Sequence, residues 1–550
     1  MENRDLQRQK LHSVVWKIAN DIRGSMNIWD SKDYILGFIF YRYLSENLKI
    51  FINNEIEEIQ NIEERPFQGK YEDFNFDLND EVSRSIKESV IEDLSYFIEP
   101  SNLYENILKN STDENLNEKL SFAFDSIEAS YKEFEEIDKR KLGSNYSSSN
   151  ELEDLSGILK SINLNNDKLG NSVIERNQVL KKILDGIVSF PLNDITDSKI
   201  DILGDIYEFL MSKIAAESGT TGGQFFTPQE VGELLANIVL IDFNTEDKRQ
   251  KTAIKNAYDP TCGSGSLLLK LVKFLDGIIN VTDKFYGQEI EANAFNMGRM
   301  NMILHGISRK KFNIKWGDTL KDPKHTNLKF EAIVSNPPFS QTFDTQNNPE
   351  LETDERFSGW PLPNEKKRGD FAFILHSLYS LADNGTMAIV EFPGILERDR
   401  KEQAIREKLI NKNWVEAIIQ LPSNMFFGTT TSTVIIVFRK NKLDSDVLFI
   451  NATNEFVKEG KNNKLSDENI QNIITLLKER KNIEGVSKLV SKEEIVKRNY
   501  LLSVNTYVSK IDNSEKIDIK KLNTELDKLA ANIQTLRNEI SSIVKELEDE

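Results

Sequence analysis

The tetrapeptide Asn336-Pro337-Pro338-Phe339 follows directly on the apolar run 331–335. Two prolines end a strand and fix the backbone beyond it, so the Asn336 side chain and the Pro337 carbonyl can aim at one point. Both present oxygen acceptors, which together suit a planar exocyclic amino group. Holding both of its hydrogens draws the nitrogen toward tetrahedral geometry and frees its lone pair for attack. Phe339 supplies a face on which a flat base can stack. An isolated Asn-Pro-Pro reads rather as a turn that closes a strand. The residues upstream weigh for chemistry.

The stretch DPTCGSGSLLLK (259–270) sits where a strand turns into a helix. Gly263 and Gly265 permit a tight turn and close approach of a ligand to the backbone, and the following helix offers N–H groups. Glu289 ends the next strand, 24 residues after Gly265. In doubly wound folds an acid roughly 20 residues past such a turn accepts ribose hydroxyls. Turn and acid together point to a nucleoside-containing cofactor. The GxxxxGK[ST] phosphate loop is absent from the chain, which argues against an ATP-driven motor in this polypeptide. Gly-x-Gly is followed here by Ser-Leu-Leu, not by the rest of a dinucleotide fingerprint. The four histidines (His12, His305, His325, His376) lack metal-ligand spacing, and no metal site is expected.

These groups need a scaffold. Short β-rich runs at 253–258, 284–287, 313–316, 332–335, 387–392, 417–421 and 434–438 alternate with helical stretches. That alternation predicts an α/β fold with a doubly wound, mostly parallel sheet and ligands at the carboxyl ends of its strands; the last two runs suit an antiparallel edge. Residues 1–140 read as helical. Leu11, Val14, Val15 and Ile18 form one stripe, Asp30 or Ser31 caps a second helix through Leu48, and Tyr34, Phe38 and Tyr41 read as core. The Ser/Asn-rich stretch 143–150 reads as a loop, and a helix at 201–216 leads into SGTTGGQFFTP. Leu522, Leu526, Leu529, Ile533, Leu536, Ile540, Ile543 and Leu547 alternate spacings of 4 and 3, the a/d seam of a coiled coil. Such a seam folds back on its own chain or docks on a partner. The expected division is a helical domain at 1–170, the sheet domain at 171–510 and a helical tail at 511–550.

Composition is compatible with this plan. The chain has 550 residues, of which 39% are hydrophobic and 9% aromatic, enough for a core. Its single cysteine excludes an internal disulfide framework and a thiolate metal cage, and suits a reducing cytosol. The charged N-terminus is not followed by an apolar h-region, and the apolar run 34–41 is far short of the ~20 residues that span a bilayer. A soluble cytoplasmic protein without a membrane partner is expected. The net charge of −19 argues against simple nucleic-acid binding. Its distribution qualifies this: residues 1–170 hold 20 basic and 34 acidic residues, and the other 380 hold 50 and 55.

Together these residues resemble the class I S-adenosylmethionine-dependent methyltransferases that modify amino nitrogens. The likeness narrows to the modification (methylation) subunit of type I restriction–modification systems, the N6-adenine DNA methyltransferases, and covers nearly the whole chain. LHSVVWKIANDIRGSMNIWDSKDYILGFIFYRYLSENL resembles that family's N-terminal helical domain. GGQFFTP (222–228), DPTCGSGSLL, GDTL (317–320), NPPF, RGDFAFILHSL (368–378), NGTMAIV (384–390) and LPSNMFFGTTTSTVIIVF (421–438) follow in family order.

The resemblance implies roles. Gln224, Phe225, Phe226, Thr227, Pro228 and Gln229, with Gly263, Ser264, Gly265 and Ser266, would line the methionine side of S-adenosylmethionine, and Asp259 would sit near its amino group. Glu289 would hold the ribose hydroxyls and Asp318 the adenine amino group; taken alone, Asp318 reads as a turn carboxylate. Asn336, Pro337, Pro338 and Phe339 would hold the target adenine. Phe426 or its neighbour Phe427 would stack on the other face. Cytosine-C5 methyltransferases place a nucleophilic Cys after Pro; Cys262 follows Thr in the cofactor turn and reads as a packing residue. The polar segment 340–369, with KKR at 366–368, either lies along DNA or is merely mobile. The family further implies a separate specificity (target-recognition) subunit, a second copy of this chain, a motor–nuclease restriction subunit and DNA. The alternatives are a methyltransferase of protein glutamine or RNA adenine on the same fold, and a non-catalytic scaffold of a DNA-binding complex.

Overall fold

The computed structural model describes residues 2–59, 70–142 apart from 75 and 78, 156–190, 204–206, 209–210, 213, 227–343 apart from 252 and 276–279, 348–362, 369–426, 430–508 apart from 461, and 519–549. It divides into a body, Met1–Val508, and a C-terminal unit, Ser509–Glu550. Among the described residues no helix is long and apolar enough to cross a membrane.

The first part of the body is helical: α1 (Glu2–Ile22), α2 (Ile28–Ile59), α3 (Glu81–Leu94), α4 (Tyr104–Lys109), α5 (Leu116–Leu142) and α6 (Val173–Val188). Leu11, Val15 and Ile18 are buried on α1, as are Tyr34, Phe38 and Tyr41 on α2. The predicted cap of α2 is displaced. Asn27 caps it, its Oδ1 accepting the Asp30 N–H at 2.8 Å, and the helix runs on to Ile59. Helix α6 packs on α1 and α2, so the helical part extends through Val188, beyond the expected 170. The loop expected at 143–150 lies outside the described residues, as does most of the helix expected at 201–216.

The second part is built on a nine-stranded sheet: β1 (Ala257–Asp259), β2 (Phe285–Glu289), β3 (Phe312–Trp316), β4 (Phe330–Ser335), β5 (Leu381–Glu391), β6 (Val415–Gln420), β7 (Val434–Arg439), β8 (Val447–Asn451) and β9 (Ser487–Val490). Their spatial order is β9-β8-β6-β7-β5-β4-β1-β2-β3. Strand β7 runs antiparallel between β5 and β6, and β9 runs antiparallel on β8; the other pairings are parallel. The two last predicted strands thus lie inside the sheet rather than at its edge, and two further strands extend it. Strands buried on both faces alternate between two cores. Ala332, Val334, Ala388 and Val390 join the core shared with the N-terminal helices, whereas Ile333, Met387 and Ile389 join the opposite one.

Helices α7 (Gln229–Val239), α8 (Ser266–Leu275) and α9 (Ala292–Leu304) bury apolar stripes in the first core, α10 (Asp370–Ser380) and α11 (Lys401–Asn411) in the second, and α12 (Asp467–Glu479) packs against α7. The helical part rests on α9: the Tyr43 hydroxyl donates to the Ile303 carbonyl (3.2 Å). The C-terminal unit contributes one 30-residue helix, α13 (Ile519–Glu548), whose eight seam residues are 46–68% exposed.

Candidate active site

Strand order reverses at β1, with β2 and β3 on one side and β4 on the other. Open α/β sheets bind ligands beyond the carboxyl ends of the strands at such a point. Here those ends carry, in turn, the glycine turn, Glu289, the Asp318 turn and Asn336. A cavity of ≈ 330 Å³ opens among them, within the ~300–1,000 Å³ of small-molecule sites.

The turn after β1 is wound tightly. Asp259 Oδ1 accepts the Thr261 N–H (3.0 Å), and Gly265 donates its N–H to the Cys262 carbonyl (2.7 Å). Gly263 (φ +51°) and Gly265 (φ +76°) occupy the left-handed region, which glycine enters without steric cost. A Cβ on Gly263 would meet nothing within 4 Å, whereas one on Gly298 of α9 would come within 2.9 Å of the Gly263 carbonyl. The turn is therefore pressed against α9 behind and open in front. Cys262 is 5% exposed, packed beneath Gly287.

Glu289, the last residue of β2, accepts the Gly263 N–H on Oε2 and the Glu291 N–H on Oε1, both at 2.9 Å. Burial raises its pKa, opposed by these backbone donors; each oxygen keeps a further lone pair for a hydroxyl donor. Asp318 Oδ1 accepts the Leu320 N–H (2.9 Å) and, more weakly, that of Lys321 (3.3 Å). It is both a turn carboxylate and a wall of the cavity. Asp259 is 1% exposed, its Oδ2 has no hydrogen-bond partner among the described residues, and burial pushes its carboxyl up to about 8, with Glu289 adding to the rise.

Asn336 follows β4 and is 8% exposed. The Ser335 hydroxyl bonds that of Thr261 (3.0 Å), tying the end of β4 to the glycine turn. Beyond Phe339 the chain is anchored by α10: Asp370 Oδ1 accepts the N–H of Ser340 (2.6 Å), which has φ +57°, and Gly369 donates to the Gln341 carbonyl (2.7 Å). The middle of the segment 340–369 is packed rather than loose. Leu351, Arg356 and Phe357 are buried, and the KKR at 366–368 lies outside the described residues.

Of the residues singled out in sequence, the cavity brings together Gly263, Ser264, Glu289, Asp318, Asn336 and Pro338. Asp259, Gly265, Ser266, Pro337 and Phe339 are not part of that lining, Phe339 packing against the first core, and Thr227, Pro228 and Gln229 open α7 outside it. Phe426 is 4% exposed within the first core and presents no face to the cavity. Gln224, Phe225, Phe226 and Phe427 lie outside the described residues. Sequence reasoning missed Thr261, Ile290, Ala294, Met297, Thr319 and Phe373. Ala294 and Met297, three apart on the helix after Glu289, carried a readable signal; Phe373 reaches the wall only through the packing of α10.

This fold is that of a class I S-adenosylmethionine-dependent methyltransferase. Residues 198–516 match the family described as N-6 DNA Methylase, and residues 11–187 match the HsdM N-terminal domain. The chain belongs to the N-6 DNA methylase family, as a methylase subunit of the type I restriction–modification kind and an adenine-N6 DNA methyltransferase. It is 38% identical to the type I restriction enzyme MpnII methylase subunit of Mycoplasma pneumoniae, over 99% of this chain and 98% of that one. It is 33% identical to the MjaVIII methylase subunit of Methanocaldococcus jannaschii over 62% of this chain and 59% of that one. The crystal structure of a type I restriction-modification methyltransferase subunit from Streptococcus thermophilus superposes with a TM-score of 0.75 at 30% identity, covering 92% of this chain and all of that one. These relatives support the DNA reading over protein glutamine or RNA adenine. The site fits the family's cofactor: an open glycine turn, a buried acid beside it and, at the start of the turn, a polar atom, Asp259 Oδ2, with no partner among the described residues.

Proposed function

We propose that the cavity holds S-adenosylmethionine with its ribose hydroxyls on Glu289, its adenine amino group on Asp318 and its methionine part along Gly263–Ser266, with the Asp259 carboxylate toward the amino group. Thr227–Gln229, which open α7, close the methionine side. The target adenine enters from the Asn336 side. The observation that carries this reading is one cavity walled by Gly263, Glu289, Asp318 and Asn336 together.

When bound, the cofactor supplies a methyl group already activated on a sulfonium, so no nucleophilic side chain is needed, and buried Cys262 is none. The chain's work is alignment and charge stabilisation. Asn336 Oδ1 and the Pro337 carbonyl accept the two N6 hydrogens, draw the nitrogen out of conjugation and favour the positive charge that develops on it. Pro338 stiffens the turn and Phe339 stacks on the base. The adenine must leave the duplex to reach Asn336, at a cost of about a few kcal/mol.

The DNA site is chosen by a separate specificity subunit, docked through the exposed seam of α13, with a second copy of this chain and a motor–nuclease subunit completing a cytoplasmic complex. What supports this is an amphipathic 30-residue helix with no buried residue, and a body whose sheet domain is filled by the chemistry. Radiolabelled methyl transfer to DNA, RNA and protein, with and without the cognate specificity subunit, tests it. Site-specific adenine-N6 transfer only with that subunit is expected. Transfer to cytosine or to protein alone would sink the proposal, and full sequence specificity from the purified chain would sink the partner assignment.

A further inference from the structure

Arg356 lies in the segment between the Asn-Pro-Pro-Phe motif and α10, among polar residues that sequence alone assigns to a loop. It is 3% exposed, and all five of its N–H donors are used. Nη1 donates to the Thr319 carbonyl (2.7 Å) and to His376 Nδ1 (2.9 Å). Nη2 donates to the Leu320 carbonyl (2.6 Å) and to Asp354 Oδ2 (2.7 Å), and Nε to Asp354 Oδ1 (3.0 Å). A guanidinium can only donate, so His376 Nδ1 is the acceptor and its proton sits on Nε2, which donates to the Tyr258 hydroxyl (3.0 Å). Burial and then the Arg356 charge hold His376 neutral, pushing its pKa down to about 3.

The two carbonyls belong to the turn that shapes Asp318. Its Oδ1 accepts the N–H of Leu320, whose own carbonyl Arg356 holds, and Asp318, Thr319 and Leu320 all line the cavity. Arg356 is tied to the other end of the site as well. The neighbouring Phe357 ring packs edge-on against Phe343 (5.1 Å), just past Gln341 and Thr342, which wall the cavity beyond Asn336.

We propose that Arg356 is a positioning residue for the cofactor's adenine. By fixing the carbonyls of Thr319 and Leu320 it holds the Asp318 carboxylate where it accepts a 6-amino group and rejects a 6-oxo group. The proposal rests on the assignment of Asp318 made above. A carboxylate set rigidly against an amino donor is left facing an oxygen when the base is hypoxanthine, and a buried polar group without its partner discriminates strongly. Once the turn can yield, the carboxylate swings away and the preference fades.

The test is the ratio of dissociation constants for S-inosylhomocysteine and S-adenosylhomocysteine, measured calorimetrically on the full-length chain. The wild type favours the adenosyl compound about tenfold or more. Arg356→Lys, which keeps the charge but cannot fork to two carbonyls and a carboxylate, brings the ratio to within about threefold of one. Asp354→Asn, which loosens the guanidinium from its other side, gives an intermediate ratio and carries the test if the lysine variant does not fold. In steady state KM for the cofactor rises in step with the binding constant while kcat moves less. A wild-type ratio in both folded variants, with Asp318→Ala collapsing it, overturns the role of Arg356. A wild-type ratio in Asp318→Ala overturns the premise and the proposal with it.

Discussion

Cofactor binding should tighten steeply with pH below 8, and Asp259 should be the cause. Its carboxyl is pushed up to about 8, chiefly by burial, and its Oδ2 has no partner among the described residues. About one tenth of the chains carry the ionised form at pH 7, about one hundredth at pH 6 and half at pH 8. A ligand that places a cationic amino group beside the carboxylate selects the ionised form, so its affinity rises about fiftyfold from pH 6 to pH 8. Above pH 8 the ligand's own α-amino group loses its proton and the curve turns over. Stability runs the other way. An acid whose folded pKa is raised contributes stability that is complete below its unfolded pKa near 4 and is lost by pH 8, at about 1.4 kcal/mol per unit. Thermal protection by the cofactor therefore grows over the same interval. Calorimetric titration of S-adenosylhomocysteine between pH 6 and 9, on wild type and Asp259→Asn, reads the effect. The variant should match wild type at pH 6, bind about tenfold or more weakly at pH 8, and show a much shallower slope. Equal slopes in the two proteins, or a flat wild-type profile, would refute the reasoning.

Three further outcomes are expected. Asn336→Ala should lower kcat by about 10²–10³, the cost of removing one preorganised polar contact, while the dissociation constant for the cofactor stays within about threefold; comparable loss in both would remove Asn336 from the transfer step. Glu416, 4% exposed, pairs with Arg439 (3.1 Å) and Arg480; Glu416→Ala removes the shared carboxylate and leaves Arg480 with Asp444 (3.0 Å) and Arg439 with Asn244, so it should destabilise the body by about 3 kcal/mol in chemical unfolding. Leu529→Asp with Leu536→Asp on the α13 seam should abolish co-purification with the specificity subunit without shifting the melting of the isolated chain, since α13 buries none of its residues.

The chemistry was more legible than the architecture. Asn336, Glu289 and the glycine turn each stand at the end of an apolar run, and parallel strands put such ends on one edge, so local pattern sufficed to gather them. Strand β7 was recognisable as a strand, yet its place between β5 and β6 was not, because Val434–Arg439 is apolar on both faces and is compatible with any interior slot. Strand β8 (Val447–Asn451) was missed within a region rich in charge; five residues of VLFIN are too few to separate a buried strand from a helix by periodicity. Arg356 was invisible for the opposite reason. Burying a guanidinium needs five acceptors converging from Thr319, Leu320, Asp354 and His376, and only the folded chain supplies them.

The acidity of the chain takes on a narrower meaning against this structure. The excess of acid lies in residues 1–170, a stretch whose helices pack on α9. Chemistry that uses an activated methyl donor asks the protein for alignment, and alignment here comes from backbone turns locked by buried groups: Asp370 on Ser340, Arg356 on Thr319 and Leu320, Thr261 on Ser335. None of these is available to grip phosphates. Given the net −14 in residues 1–170, the proposed partner is expected to add cations that hold a polyanion long enough for a base to leave the stack. The proposed assembly predicts a DNA affinity that is low for the chain alone and rises with the specificity subunit, with a salt dependence that steepens on assembly. Equal affinity and equal salt slope with and without that subunit would contradict it.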